Sequence, residues 1–184
     1  EAAPPTDAAA LGAFGEALPR RYAGRLWAVE VWSEPNLLPN WRRGGPDPED
    51  YGAVLAETAA ALRRGDDDVL VVSAALAPTA DIGVCYLSDV VFLDRLARTG
   101  ALASVDAVGV EPFGLREGAD ATADTIDPLN FARAEVLHDA LVGQGVERPL
   151  WALAWGWNGL PEGWSGRPSP WGTHSETTSA RMLG

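Results

Sequence analysis

Four short apolar strands alternate with amphipathic helices along this chain, and each long, unusual loop follows a strand. A helix is predicted over 7–21, capped by Thr6, with Leu11, Phe14 and Leu18 on one face. A strand follows over 26–32. Its side chains alternate, with Trp27, Val29 and Val31 on one face and Ala28, Glu30 and Trp32 on the other. The next helix opens at Pro46-Asp47-Pro48-Glu49. Its acidic first turn and its closing Arg63-Arg64 both suit the helix dipole. Strands over 69–73, 105–110 and 149–155 are separated by helices over 87–98 and 129–142, and a last helix starts near Ser175. Such alternation implies an α/β fold with a parallel sheet and right-handed crossovers. No glycine-rich phosphate loop follows the first strand, which disfavours a nucleotide-binding doubly wound sheet. Short loops into the strands and long loops out of them mark the functional face of a (β/α) barrel.

Composition narrows the function. The chain has 184 residues and is 47% hydrophobic, which suits one globular domain over 1–184. The net charge is −12, and every basic residue is an arginine. An acidic surface of this kind argues against nucleic acid and against anionic membranes. No apolar run approaches the ~20 residues that span a bilayer, and no signal-peptide pattern is visible. Cys85 is the only cysteine, so no intrachain disulfide forms. His138 and His174 are not spaced as metal ligands. With no metal motif, phosphate loop or dinucleotide fingerprint, neither a metal nor a cofactor is expected.

Four segments, in order, carry a resemblance. Trp32-Ser33-Glu34-Pro35-Asn36-Leu37 resembles the W-N-E-P-N motif that ends strand four in clan A retaining glycoside hydrolases, which are TIM barrels. The helix and strand over 51–72, with Ala75-Leu76-Ala77-Pro78-Thr79, resemble the elements that follow. Val105-Asp106-Ala107-Val108-Gly109-Val110-Glu111-Pro112-Phe113-Gly114 is similar to that family's F-D-x-x-G-x-H-P-Y-G segment. Arg148-Pro149-Leu150-Trp151-Ala152-Leu153-Ala154-Trp155-Gly156-Trp157 is similar to K-P-x-W-x-T-E-F-G-W, which ends strand seven with the nucleophile. The resemblance implies a (β/α)8 TIM-barrel type of fold with only about strands four to seven in this chain. A whole barrel takes ~250 residues, so the resemblance implies a domain incomplete at both ends. The rest of the barrel, or a protein partner, would complete it.

Retaining glycosidases place an acid/base and a nucleophilic carboxylate ~5–5.5 Å apart. The resemblance makes Glu34 the acid/base. It puts Ala154 at the nucleophile position, and a methyl group cannot attack an anomeric carbon. Neighbouring positions differ too. Ser33 replaces the family's Asn, Glu111 its His, Phe113 its Tyr and Leu153 its Thr. Changes beyond the nucleophile fit natural divergence. Glu111 is a rival second carboxylate, one that would act with inversion at a separation of ~6.5–9.5 Å; otherwise it is a solvated loop carboxylate or a partner of Arg116. Glu30 is read as structural, facing into the barrel, with an arginine of a missing strand as a candidate partner.

Of the eight tryptophans, Trp27 and Trp151 are expected in the core. Trp32, Trp41, Trp155, Trp157, Trp164 and Trp171 are expected near the loop face. There they would stack on sugars or form a protein interface. Trp32, Ser33, Asn36, Trp41, Phe113, Trp155 and Trp157 are the expected substrate contacts. The expected function is a glycoside-hydrolase-like domain, impaired in catalysis, that keeps carbohydrate binding or an assembly role. The alternative is an active O-glycoside hydrolase on a β-linked poly- or oligosaccharide, using Glu34 with Glu111. An extracellular or cell-surface location follows from the resemblance alone.

Overall fold

The structure is a computed structural model that describes residues 3–4, 6–41, 44–122 and 129–183. Helix α1 (Ala8–Arg21) is capped by Asp7 instead of Thr6. The Asp7 carboxylate accepts from the amides of Ala9 and Ala10 at 2.9 and 3.1 Å. A carboxylate at this position also complements the helix dipole, which a hydroxyl does not. Strand β1 (Ala28–Val31) leads to α2 (Pro48–Gly65), which Asp47 caps in the same way. Then come β2 (Leu70–Ser73), α3 (Asp89–Arg98) and a 3-10 turn (Ala101–Ser104). Strand β3 (Val108–Val110), α4 (Arg133–Gly143) and β4 (Leu150–Ala152) follow. The predicted strands and helices are all present, mostly shorter than expected. Part of the long loop expected over 111–127 lies outside the described residues.

The strands are parallel and stand in chain order. β1 pairs with β2, Val29 opposite Val71, and β3 pairs with β4, Gly109 opposite Trp151. The bridges Val72–Ala107 and Leu76–Val110 join the two pairs. A doubly wound sheet reverses its order at a switch point; this one does not. Parallel strands in chain order are the arrangement of an arc of barrel wall. Between β2 and β3 the ladder is partly replaced by a side chain. Asp106 accepts from the Val71 amide at 2.8 Å and from Arg63 at 2.9 Å. That substitution explains why the strand expected over 105–110 is regular only from Val108.

Helices cover one side of this arc. Val31, Val71, Val108 and Val110 pack there against buried Tyr51, Leu55, Phe92 and Leu96. Each such side chain contributes roughly 1.5–3 kcal/mol of burial. The α1–α2 packing needs Gly65, because a Cβ there would lie 2.3 Å from the Glu16 carbonyl oxygen. The other side of the arc has no helix against it among the described residues. Trp151 alternates with the core-facing Leu150 and so points to that side. It stacks on Trp27 with centroids 5.4 Å apart and planes at 24°. Trp27 is 71% exposed, so it is not the core residue the strand pattern suggested. The two rings cover each other because nothing else described covers them.

The last loop contains a pair of two-residue strands, β5 (Gly159–Leu160) and β6 (His174–Ser175), which the sequence did not suggest. Helix α5 (Glu176–Leu183) follows, as expected. No helix among the described residues is long and apolar enough to cross a membrane.

Candidate functional site

The C-terminal ends of the strands carry the site. Beyond β1 the chain turns sharply, with Trp32 and Glu34 both in left-handed conformations, φ 77° and 46°. Non-glycine residues in that region cost about 1–3 kcal/mol each and persist only where neighbours hold them. The Trp32 indole donates to the Asn40 carbonyl at 3.0 Å, and the Glu34 amide donates to the Ala75 carbonyl at 2.9 Å. Asn40 donates to Glu34 Oε2 at 2.9 Å, which fixes the carboxylate itself. Below them the Tyr51 hydroxyl donates to the Val31 carbonyl at 2.9 Å and accepts from the Ala74 amide at 2.7 Å. One phenol thus ties the ends of β1 and β2 together, and burial pushes its pKa up.

Asn36 is wholly buried. Its amide group donates to the Ala77 and Leu87 carbonyls at 2.8 and 3.1 Å and accepts from the Ala77 amide at 3.0 Å. The expectation that Asn36 contacts substrate is therefore corrected: its polar atoms are spent on joining the β1 and β2 loops. Trp41 is corrected as well, because burial keeps it from any ligand. It is 0% exposed and packs edge-on against Tyr51 at 5.7 Å. Trp32 is half-buried behind the site, edge-on to Trp41. Ser33 is exposed and lies outside the cleft lining.

Glu34 lines a cleft of about 660 Å³. Of the other expected contacts, Phe113, Trp155 and Trp157 line it as well. Trp157 stacks on Phe131 at 5.2 Å and lies so close over Gly114 that any side chain there would displace its ring. Sequence reasoning missed Thr79, Tyr86 and Asn158 as lining residues, and it missed Asn40 as the donor to Glu34. Only Asn40 left a trace, a side-chain amide six residues beyond the acid. Ala154 is half-buried just past β4, between the exposed Leu153 and Trp155.

Three carboxyl groups converge at the base of this region. Glu30 accepts from the Ala75 amide at 2.9 Å, a backbone partner in place of the arginine considered from sequence. Burial raises its pKa, and the nearby Glu34 charge adds to the rise. Glu111 stands just beyond β3, near enough to Glu34 and Glu30 for their charges to act on it. Burial, first, and then the neighbouring Glu34 and Glu30 carboxylates push Glu111 up to about 8. Glu111 therefore keeps its proton at neutral pH.

No known protein family and no curated protein matches the chain at the level of sequence. Solved structures do match its fold. A glucosidase from Croceicoccus marinus superimposes with a TM-score of 0.61 at 17% identity, over 90% of this chain and 34% of that one. A family 39 glycoside hydrolase from the gut symbiont Bacteroides cellulosilyticus WH2 gives 0.55 at 18% identity, over 84% of this chain and 31% of that one. The chain thus spans about a third of the length of the structures it resembles. Its short parallel strand pairs correspond to part of a TIM-barrel glycosidase fold.

Proposed function

We propose that this chain is a glycoside-hydrolase-like domain that binds carbohydrate in the Glu34 cleft and has lost the double-displacement reaction. The observation that carries the reading is the cleft itself, in which aromatic walls surround Glu34 and no second carboxylate stands among the described lining residues. Ala154, at the position matched to the nucleophile, offers no attacking atom. The aromatic lining remains suited to sugars, since Trp155, Trp157 and Trp171 offer flat apolar faces in one cleft. The open side of the arc joins further barrel wall, supplied by the same polypeptide or by a partner. An extracellular or cell-surface location goes with this reading.

A second reading keeps activity. Glu111 retains its proton to about 8, as a general acid must at neutral pH. In that reading Glu34 and Glu111 flank a β-linked substrate and divide the acid and base roles.

Turnover of an activated aryl β-glycoside, with and without azide or formate, separates these readings. Binding of oligosaccharides without turnover, or turnover only with the added anion, is expected. An anion fills the space an absent nucleophile leaves, so its rescue identifies an intact cleft around Glu34. Anion-independent turnover that Glu34→Gln abolishes would establish the second reading. Neither turnover nor sugar binding would leave an assembly role and overturn both.

A further inference from the structure

The loops beyond β3 and β4 build one wall of the Glu34 cleft, through Phe113, Leu115, Asn158 and Trp171. They are laced together. The Gly114 amide donates to the Gly156 carbonyl at 2.9 Å, and the Trp157 indole donates to the Glu117 carbonyl at 2.8 Å. Farther along, the second loop passes back over Leu115. Gly172, at φ 107°, comes so close that any side chain there would run into the Leu115 carbonyl oxygen. That same oxygen accepts from His174 Nε2 at 2.9 Å. A carbonyl only accepts, so the ring carries a proton on Nε2. Leu115 itself is left-handed, at φ 51°, a conformation that a non-glycine residue keeps only where neighbours hold it. On the other side of Gly172, its carbonyl accepts from Asn158 at 2.9 Å, and the Trp171 amide donates to Ser169 Oγ at 3.1 Å. His174 is half-buried and lies outside the cleft lining.

We propose that His174 is a positioning residue for carbohydrate binding, fixing the Leu115–Trp171 wall of the cleft through its hold on the Leu115 carbonyl. This rests on the carbohydrate-binding reading above and names what sets the shape of that site. Without the Nε2 donor, the Leu115 carbonyl loses its side-chain partner, and the left-handed turn is free to relax. Gly172 lies against the same oxygen, so relaxation there moves the Trp171-Gly172 segment with it. The Gly172 carbonyl passes the shift to Asn158. Three lining residues from separate stretches of chain, Leu115, Asn158 and Trp171, thus depend on one imidazole that does not line the cleft. A wall held in place before a sugar arrives spares the cost of ordering it on binding. A loosened wall meets that cost each time, and the affinity falls.

Calorimetric titration with cellotetraose, xylotetraose and mannotetraose tests this, using the parent chain, His174→Ala and His174→Gln. A glutamine side chain carries an N–H to about the place of Nε2; alanine carries none. For any tetramer the parent binds, His174→Ala should weaken binding about tenfold, and His174→Gln should restore most of the loss. Amide hydrogen exchange over residues 113–117 and 169–174 should quicken in His174→Ala alone, with the urea midpoint left at the parent's value. Quickened exchange with unchanged affinity would overturn the positioning role and leave the carbohydrate reading standing. Affinity lost equally in both variants, together with a lowered urea midpoint, would assign His174 to packing alone and overturn the inference as well. Binding of none of the three tetramers by the parent would sink the carbohydrate reading itself, and this inference with it.

Discussion

Glu111 keeps its proton because it is half-buried beside two other carboxyl groups, and that has a thermodynamic consequence. Its pKa rises from 4.5 to about 8 on folding, so between those values the folded chain holds a proton the unfolded chain has released. Stability contributed by the protonated form is complete below about 4.5 and is lost as the pH climbs through about 8. Replacing Glu111 by glutamine removes this dependence. Urea denaturation of both proteins near pH 5 and near pH 8 should show the variant gaining on the parent with rising pH. The gain should be on the order of 1 kcal/mol, already reduced for the solvent screening of a half-exposed group. Parallel pH dependences would mean Glu111 does not carry the proton. At this scale the sequence named both carboxylates but could not bring them together. Their 77-residue separation is closed only by the β1-β2-β3 order of the sheet. Asn36 teaches the converse. Its neighbours suggested a sugar contact, and burial made it a clamp between loops.

Helices α3 and α4 are joined by an ion pair that neither helix announces. Arg133, at the start of α4, donates to both oxygens of Asp89, at the start of α3, at 2.6 and 3.0 Å. Their side chains are 5% and 1% exposed. Removing one partner leaves the other charge buried, at a cost of about 3–5 kcal/mol, whereas replacing both by apolar groups is close to neutral. Arg133→Met should therefore lower the urea midpoint sharply, and Arg133→Met with Asp89→Leu should recover most of it. A double variant no better than the single one would contradict this account. The helices themselves were legible from periodicity, because a repeat of 3.6 is written locally. The pairing was not, since its members lie 44 residues apart. The shortness of β3 had the same kind of cause, an Asp106 carboxylate taking a place in the ladder that a backbone group would otherwise fill.

The whole molecule carries a net charge of −12, and like charges on a compact body repel one another. Raising sodium chloride from ~0.05 to ~0.5 M shortens the screening length from over 10 Å to a few Å. The thermal midpoint should rise by a few degrees as that repulsion is screened. A fall of similar size would mean that attractive surface pairs, such as Arg95 with Glu49, outweigh the repulsion. At the same scale, one side of the strand arc is packed with helices and the other shows a stacked pair of tryptophans to solvent. An arc of four strands in chain order has two free edges and an inner face. The fold corresponds to about a third of the length of the structures it resembles.

The sequence by itself determined the α/β alternation, the parallel sense of the strands and the gathering of long loops at their C-terminal ends. These follow from residue periods and loop lengths, which are properties of neighbouring positions. By resemblance it also offered Glu34 and Glu111 as candidate carboxylates and Ala154 as the expected nucleophile position. Only the tertiary structure decided that Glu111 comes within reach of the Glu34 charge, that Asn36 and Trp41 are buried, and that Trp27 leaves the core to stack on Trp151. Those outcomes depend on which distant segments become neighbours and on how much water they exclude. No local pattern encodes either.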